Sequence, residues 1–412
     1  MRVTILSQYY DPEPVPKAGE IARALRDLGH EPFVITGFPN YPSGKLYPGW
    51  RLSLLRRETR GEIPVVRAFE FPYHGKKFLG RLLNYGSFVL TAPLGALFTK
   101  KSDVMYVWHP PLTIGIAAWL ISLLRGVPFV YDVQDIWPET AVMSGLMRDG
   151  ALMRLTSRLE RFVYRRAAHI LVVTEGAKRN LIGKGVPAER ISVMPHWVDE
   201  SLFDRSASGR RDDVRRELGW EGRFVVLFAG NLGLVQGLDS VVRAATLLDP
   251  EEKILIAFVG DGSDRDRLMG LVSELGVGDR VRFVDRQPME RMPEIMAASD
   301  ALLVHLRKSE LAHYIIPTKT LAYMAAGRPI IMATEGAAAD LVTRAGAGIT
   351  LPPDDPQALA TTIRHLHEIP EERRAAFGTA ARKYLDANLK KQKVIAQYEE
   401  LLRRVAQSSA RA

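Results

Sequence analysis

Short apolar runs rich in β-branched and aromatic residues recur along this chain with helical stretches between them, and the whole pattern occurs twice. In the first half the runs are Val3–Ser7, Glu31–Thr36, Val65–Ala68, Val104–Trp108, Phe129–Val133, His169–Val173 and Ile191–Met194, with helices clearest at Gly19–Leu28 and Met153–Ala168. In the second half they are Phe224–Ala229, Ile254–Gly260, Val281–Val284, Ala301–His305 and Ile330–Ala333. Strands this short, alternating with helices, indicate βαβ units and a parallel sheet covered on both faces. A chain of 412 residues exceeds one hydrophobic core and fits two domains. The sequence therefore predicts an α/β protein of two Rossmann-like, doubly wound domains facing a central cleft. The expected division is 1–198, a polar strandless linker 199–222, a second domain 223–387, and a C-terminal helix and tail 388–412 with one amphipathic helix over Asn388–Val405.

Charge is unevenly spread over the two halves. Residues 1–198 hold 26 Lys and Arg against 16 Asp and Glu, and residues 199–412 hold 30 against 31. Within 45–101 there are 11 basic residues and three acidic ones, Glu58, Glu62 and Glu70. No nucleic-acid motif accompanies this basic region, which excludes that class of partner. Beside it, residues 78–98 are apolar and lie between Lys76-Lys77 and Lys100-Lys101. Such a segment suits the surface of an anionic bilayer, and it equally suits core helices with solvated ends. Arg81, Asn84 and Pro93 interrupt it, and Leu112–Leu124 is also too short, so neither run reads as a span. The start, Met1–Leu6, enters a buried strand at once without leader-peptide organisation, so a cytoplasmic chain is expected, and the basic, apolar flank predicts that it is peripheral on the inner membrane face. The chain has no cysteine, so disulfides, thiolate metal sites and cysteine nucleophiles are excluded.

Chemistry-bearing residues gather at the carboxyl ends of the strands, where doubly wound sheets bind ligands. Phe224–Ala229 runs into Gly230-Asn231-Leu232-Gly233-Leu234-Val235-Gln236-Gly237 and then a helix from Leu238. The glycines bring backbone N–H groups close to a phosphate, with Asn231 and Gln236 as neutral donors; a tight βα turn would need the same glycines. Val259-Gly260-Asp261-Gly262 reads mainly as a sharp turn with Asp261 at its rim, and Ser263 or Asp264 is a natural N-cap. Pro317-Thr318-Lys319 opens a helix over Thr320–Ala326, and there backbone donors, the positive dipole end and an ammonium converge. A cation at a helix N-terminus is unfavourable without an anion, so this is the composition of a diphosphate site. In the first half His109 and Asp135 follow neighbouring strands and could supply acid–base or electrostatic chemistry, or simply brace their loops. Neither a Ser-based elbow nor a spacing suited to a metal is present.

Taken together, Gln8–Pro14, Leu28–Glu31, Pro39–Gly44, Gln134–Glu139, Val172–Gly176, His196–Asp199, Gly230–Gly237, Val259–Gly262, Pro317–Lys319 and Met324–Pro329 resemble a retaining GT-B glycosyltransferase of family four. The likeness spans nearly the whole chain and is strongest to the bacterial polysaccharide subgroup of the fucosaminyltransferase and the colanic-acid transferases. It implies a nucleotide-sugar donor, UDP-linked, on the second domain and a lipid-linked saccharide acceptor on the first. It further implies catalysis without metal or other cofactor, and a departing diphosphate that helps deprotonate the acceptor on the same face. Carried residue by residue, it assigns the donor to Gly230, Asn231, Gly233, Gln236, Gly237, Asp261, Pro317, Thr318 and Lys319. Arg286 and Gln287, after Val281–Val284, are placed to contact the base. Asp135, His109 and Lys319 form the catalytic set. Asn231 and Gln236 stand where much of the family has arginine and lysine, and the family's paired glutamates fall at Tyr314 and Ala322, with Glu310 and Glu335 nearby.

The expected reaction is transfer of an amino or deoxy sugar from its UDP conjugate to a polyprenyl-diphosphate-linked acceptor in surface polysaccharide synthesis. A sugar-nucleotide epimerase on the same scaffold would turn over donor with no acceptor. A catalytically inactive scaffold would bind donor and consume none. A dinucleotide oxidoreductase shares the fold class but needs a glycine fingerprint that is missing here.

Overall fold

The computed structural model of the chain describes residues 1–75, 77–143, 150–199, 201–204 and 210–410. Lys76 and the last two residues of the expected tail lie outside the described residues, as do parts of the expected linker. The chain divides into two compact units, Met1–Met194 with Ile395–Ala412, and Pro195–Val394.

The first unit is built on eight strands: β1 (Arg2–Leu6), β2 (Glu31–Thr36), β3 (Leu55–Arg60), β4 (Ile63–Ala68), β5 (Val104–Trp108), β6 (Phe129–Val133), β7 (His169–Val172) and β8 (Ile191–Val193). Their order is β3-β4-β2-β1-β5-β6-β7-β8, and every pairing is parallel except β3 with β4. Central strands buried on both faces need near-continuous apolar runs rather than alternation, and β1, β5 and β6 have them, broken only by buried Thr4 and Asp132 within Val3–Leu6, Val104–Trp108 and Phe129–Val133. Helix Lys17–Asp27, which links β1 to β2, buries Ala18, Ile21, Ala22 and Leu25, the spacing of one helical face. Helices Phe78–Leu97, Ile114–Arg125 and Ala151–Arg166 lie on the connections β4 to β5, β5 to β6 and β6 to β7. They pack side by side, with Trp119 edge-on to Phe162 at 5.0 Å. Right-handed crossovers put this trio on the sheet face opposite Lys17–Asp27.

The second unit has six parallel strands, β9 (Phe224–Ala229), β10 (Ile254–Val259), β11 (Val281–Val284), β12 (Ala301–His305), β13 (Ile330–Ala333) and β14 (Gly348–Leu351), in the order β11-β10-β9-β12-β13-β14. Buried apolar clusters line both faces.

Four features differ from the sequence expectation. The first sheet is not wholly parallel, because β3 and β4 form a hairpin. Its two-residue turn, Gly61-Glu62, has φ of 52° and 67°, the double left-handed conformation of a type I′ turn. Strand β3 reads Leu-Arg-Arg-Glu-Thr-Arg and carries charge because it is an edge. Strand β14 is the opposite edge strand of its own sheet and holds only four residues. The segment expected as a linker contributes helix Arg211–Leu218, which buries Val214 and is followed by fully buried Trp220, both in the second core. Arg211 and Arg215 of that helix pair with Asp300. Finally, the C-terminal helix starts at Lys391 rather than Asn388 and belongs to the first unit from Ile395 onward.

Candidate active site

In the second sheet the chain fills β9, β10 and β11 in one direction and then returns to the other side of β9 with β12. Strand order therefore reverses between β9 and β12, and a crevice opens beyond their carboxyl ends. The loops on its two sides are Gly230–Gly237 and the segment that leads from β12 to Pro317.

Glycine is required at three places there. Gly230 has φ 138°, and a Cβ on it would sit 3.1 Å from Lys319 Nζ. Gly260 has φ 143°, and its Cβ would fall 2.1 Å from the Gly230 carbonyl oxygen. Gly237 has φ 62° with Arg307, His305 and Asp354 packed against its Cα. The loops after β9 and β10 are thus locked together. The Leu232 N–H donates to the Asp261 carbonyl and the Asp264 N–H to the Leu232 carbonyl, both at 2.9 Å. Gly260 and Gly262 thus let these two loops pack against each other. Asp264 stands at the N-cap position, yet its side chain makes no cap bond; it accepts two bonds from Arg267 instead.

Helix Thr318–Ala326 begins two residues earlier than expected, with Pro317 as the residue before its first turn. Lys319 extends from that turn across the Gly230 loop. Its Nζ lies 3.6 Å from the centroid of the Phe228 ring and donates to Gln236 Oε1 at 3.4 Å. No carboxylate pairs with it among the described residues, and burial pushes the ammonium down to about 7. Tyr323, one turn on, closes the end of β9: its hydroxyl accepts from Ala229 N–H at 2.8 Å and donates back to the Ala229 carbonyl. Thr318 and Asn231 are exposed at the same crevice.

The other expected donor residues are less tightly assembled. Asp261 is exposed, and its carboxylate accepts from Gly262 N–H at 2.8 Å. Arg286 is exposed at the end of β11, while Gln287 donates to the Asp285 carbonyl and accepts from Arg291. Among the described residues none of these three side chains is hydrogen-bonded to Lys319 or the Gly230 loop, which Asp261 meets through its backbone carbonyl.

In the first sheet the order reverses between β1 and β5, and His109 immediately follows β5 at that point. Its backbone N–H donates to the Asp132 carbonyl at 3.1 Å, its ring lies 5.7 Å from the Tyr131 ring, and its buried Nδ1 has no partner among the described residues. Burial alone pushes its imidazole down to about 3, so His109 is neutral at physiological pH. Asp135, two residues past β6, is partly buried, and burial raises its carboxyl above the usual range. The two side chains are not hydrogen-bonded to each other. The loop-bracing role falls instead to Asp132, which accepts from Tyr106, from Gln134 at 2.6 Å and from Tyr398 of the C-terminal helix at 3.2 Å.

Comparison with known proteins decides the family. A glycosyl transferase 4-like domain matches residues 14–197 and a glycosyl transferases group 1 domain matches residues 210–384. The 2-deoxystreptamine glucosyltransferase of Streptomyces kanamyceticus is 30% identical over 85% of this chain and 88% of its own length. The chain is a family-four glycosyltransferase. The Escherichia coli (strain K12) glycosyl transferase WcaI, named for colanic acid biosynthesis, is 28% identical over 97% of this chain and 98% of its own. Among solved structures, HepE of Anabaena in complex with UDP has a TM-score of 0.71 at 19% identity, covering 98% of this chain and all of that one, which shows the GT-B fold.

Within this glycosyltransferase, several residues that shape the crevice escaped the sequence reading. His305 ends β12, is buried, and bonds the Gln236 carbonyl at 2.7 Å through Nδ1, so its Nδ1 carries the proton. Arg307 donates to the Leu234 carbonyl and pairs with Asp239 at 2.6 Å. Both sit at a strand's carboxyl end, the signal that singled out His109. Tyr314 and Ala322, where the resemblance expects glutamates, are uncharged, and Glu310 and Glu335 are both exposed.

Proposed function

We propose that this glycosyltransferase moves an amino or deoxy sugar, with retained configuration, from a UDP-sugar to a polyprenyl-diphosphate-linked saccharide in surface polysaccharide synthesis. The observation that carries the donor half is Lys319. An ammonium with no carboxylate partner among the described residues, at a helix N-terminus and against a glycine loop, is electrostatically incomplete until an anion arrives. A sugar diphosphate supplies that anion, and Lys319 with the first-turn N–H groups would neutralise the charge that grows as the glycosidic bond breaks. The Gly230, Asn231, Gly233, Gln236 and Gly237 loop would lie along the phosphates. Pro317 and Thr318 would set the helix end, and Asp261, Arg286 and Gln287 would reach the nucleoside. The UDP complex of HepE and the name of WcaI support the donor and the pathway class.

On the acceptor side Asp135 would orient and polarise the incoming hydroxyl. Neutral His109 would offer a hydrogen bond rather than a charge. Metal takes no part in this scheme, because Lys319 and the helix end meet the diphosphate.

The test is calorimetric titration of the purified protein with UDP, GDP and NADH in metal-free buffer. UDP binding that weakens in Lys319→Ala is the expected result. Binding of NADH alone, or no nucleotide binding, would overturn the transferase reading. Donor consumed without acceptor would point to an epimerase, and donor bound but never consumed to an inactive scaffold.

A further inference from the structure

Helix Phe78–Leu97 has its amphipathic pattern reversed relative to a solvent-facing helix. Leu79, Leu82, Leu83, Leu90, Leu94 and Leu97 fall at helical spacing on one face and are all exposed, Leu79 by 65% and Leu90 by 71%. The opposite face buries Phe88, Ala92 and Ala96 against the sheet. Ile114–Arg125, packed alongside, continues the apolar surface with Leu123 and Leu124, 68% and 57% exposed. A patch this continuous is rare on a free protein surface.

The third helix of the face, Ala151–Arg166, is of a different character. Arg154, Arg158, Arg161 and Arg165 recur at four, three and four residues, which lines them up on one exposed face. Arg166 turns toward the middle helix and lies over the Trp119 and Phe162 rings. Gly115 brings these helices into close contact, since a Cβ on it would fall 2.4 Å from Val163. With helix axes about 10 Å apart, the arginine row runs roughly 20 Å from the leucine row. The three helices together carry seven arginines and one carboxylate, Glu160, which is fully buried and bonded to Lys184 and Tyr164. Among the described residues none of the stripe arginines is paired with an acid.

Part of the positive charge of residues 45–101 is, by contrast, engaged by Glu58 and the Trp50 ring. Arg67 is fully buried and bonded to Glu58, and Arg56, Arg60 and Arg67 all lie over the Trp50 ring.

Building on the lipid-linked-acceptor reading, we propose that this three-helix face docks on an anionic bilayer. The leucine row and Leu123-Leu124 enter the acyl boundary, and the arginine row of Ala151–Arg166 reads the headgroup charge. An apolar band beside cations and without exposed acids is complementary to such a surface. All three helices start at the sheet edge where β4, β5 and β6 end, so docking would bring the bilayer alongside the edge that holds His109 and Asp135.

The experiment is sedimentation of the full chain with phosphatidylcholine vesicles, with and without 30% phosphatidylglycerol, in the absence of donor and acceptor. A failure of this inference is then separable from a failure of the catalytic one. The wild type should pellet with the anionic vesicles only. Arg158→Gln with Arg161→Gln should weaken that binding by about thirtyfold. Leu82→Glu with Leu90→Glu should abolish it, and both variants should keep the wild-type far-ultraviolet circular dichroism and urea unfolding profile, which shows that they are folded. Equal binding to neutral vesicles, or no binding by folded protein, would overturn the proposal. A dimer in sedimentation equilibrium that Leu90→Glu dissolves would assign the face to a second copy of the chain instead.

Discussion

Substituting Lys319 should expose a proton that travels with the donor. In the free protein its ammonium sits 3.6 Å above the Phe228 ring and, among the described residues, bonds only the Gln236 amide, and burial leaves it near pH 7 rather than 10.5. A bound diphosphate restores the charged form. At pH 8 about nine-tenths of the free lysine is neutral, so binding UDP should take up about 0.9 proton, and about half a proton at pH 7. The terminal phosphate of UDP is already ionised at pH 8, since such groups titrate near pH 6, and contributes nothing there. Above pH 8 the affinity should fall about tenfold per pH unit until the lysine titrates in the complex. Calorimetry in two buffers of different ionisation enthalpy counts these protons directly. In Lys319→Ala the count at pH 8 should drop to near zero and the affinity should fall ten- to hundredfold, as for a lost charge-assisted bond of about 1.5–3 kcal/mol. Proton uptake near zero in the wild type at pH 8, or uptake unchanged in Lys319→Ala, would refute the placement of the diphosphate on this ammonium.

His109 titrates near 3 when folded and 6.5 when unfolded, so the unfolded chain binds the extra proton between those values. Stability should therefore fall as the pH drops from 6.5 to 3, by at most about 5 kcal/mol, and His109→Gln should flatten that limb in urea titrations. Trp220→Ala should destabilise the second unit by about 3–5 kcal/mol in urea unfolding; an effect near zero would return 199–222 to the status of a linker. Gly260→Ala should push the Gly230 carbonyl aside and weaken UDP binding while leaving far-ultraviolet circular dichroism unchanged.

Legibility in the sequence tracked burial. Val104–Trp108, Phe129–Val133 and Phe224–Ala229 match the observed strands end to end, because a strand covered on both faces must be almost wholly apolar, Asp132 being the one charged residue in the three. Edge strands lack that constraint: of the four, β8 and β11 are apolar enough to be read, whereas β3 and β14 went unseen. Helix Arg211–Leu218 shows one buried apolar residue, Val214, among charges, too little periodicity to betray it. At the site, Gly230–Gly237 and Pro317–Lys319 could be read because each is local, with backbone need and side-chain chemistry in adjacent residues. Phe228, His305, Arg307 and Tyr323 could not, because their roles arise only where β9, β12 and the following helix close together. The arginine row on Ala151–Arg166 was countable in the sequence. It gained meaning only when the neighbouring helices turned out to expose leucine.

The return of the C-terminal helix makes the first unit a fold encoded in two separate stretches of the gene. A fragment ending at Met194 would leave the Asp132 carboxylate, buried in the last turn of β6, without the Tyr398 hydroxyl. It would also strip the cover from Tyr106, whose ring lies 6.0 Å from that of Tyr398. Such a fragment is an incomplete jigsaw rather than a domain, and a synthetic peptide of the last helix supplied in trans is the piece that fits it. A circular permutant that joins residue 412 to residue 1 and reopens the chain near Val394 would write both units as contiguous text.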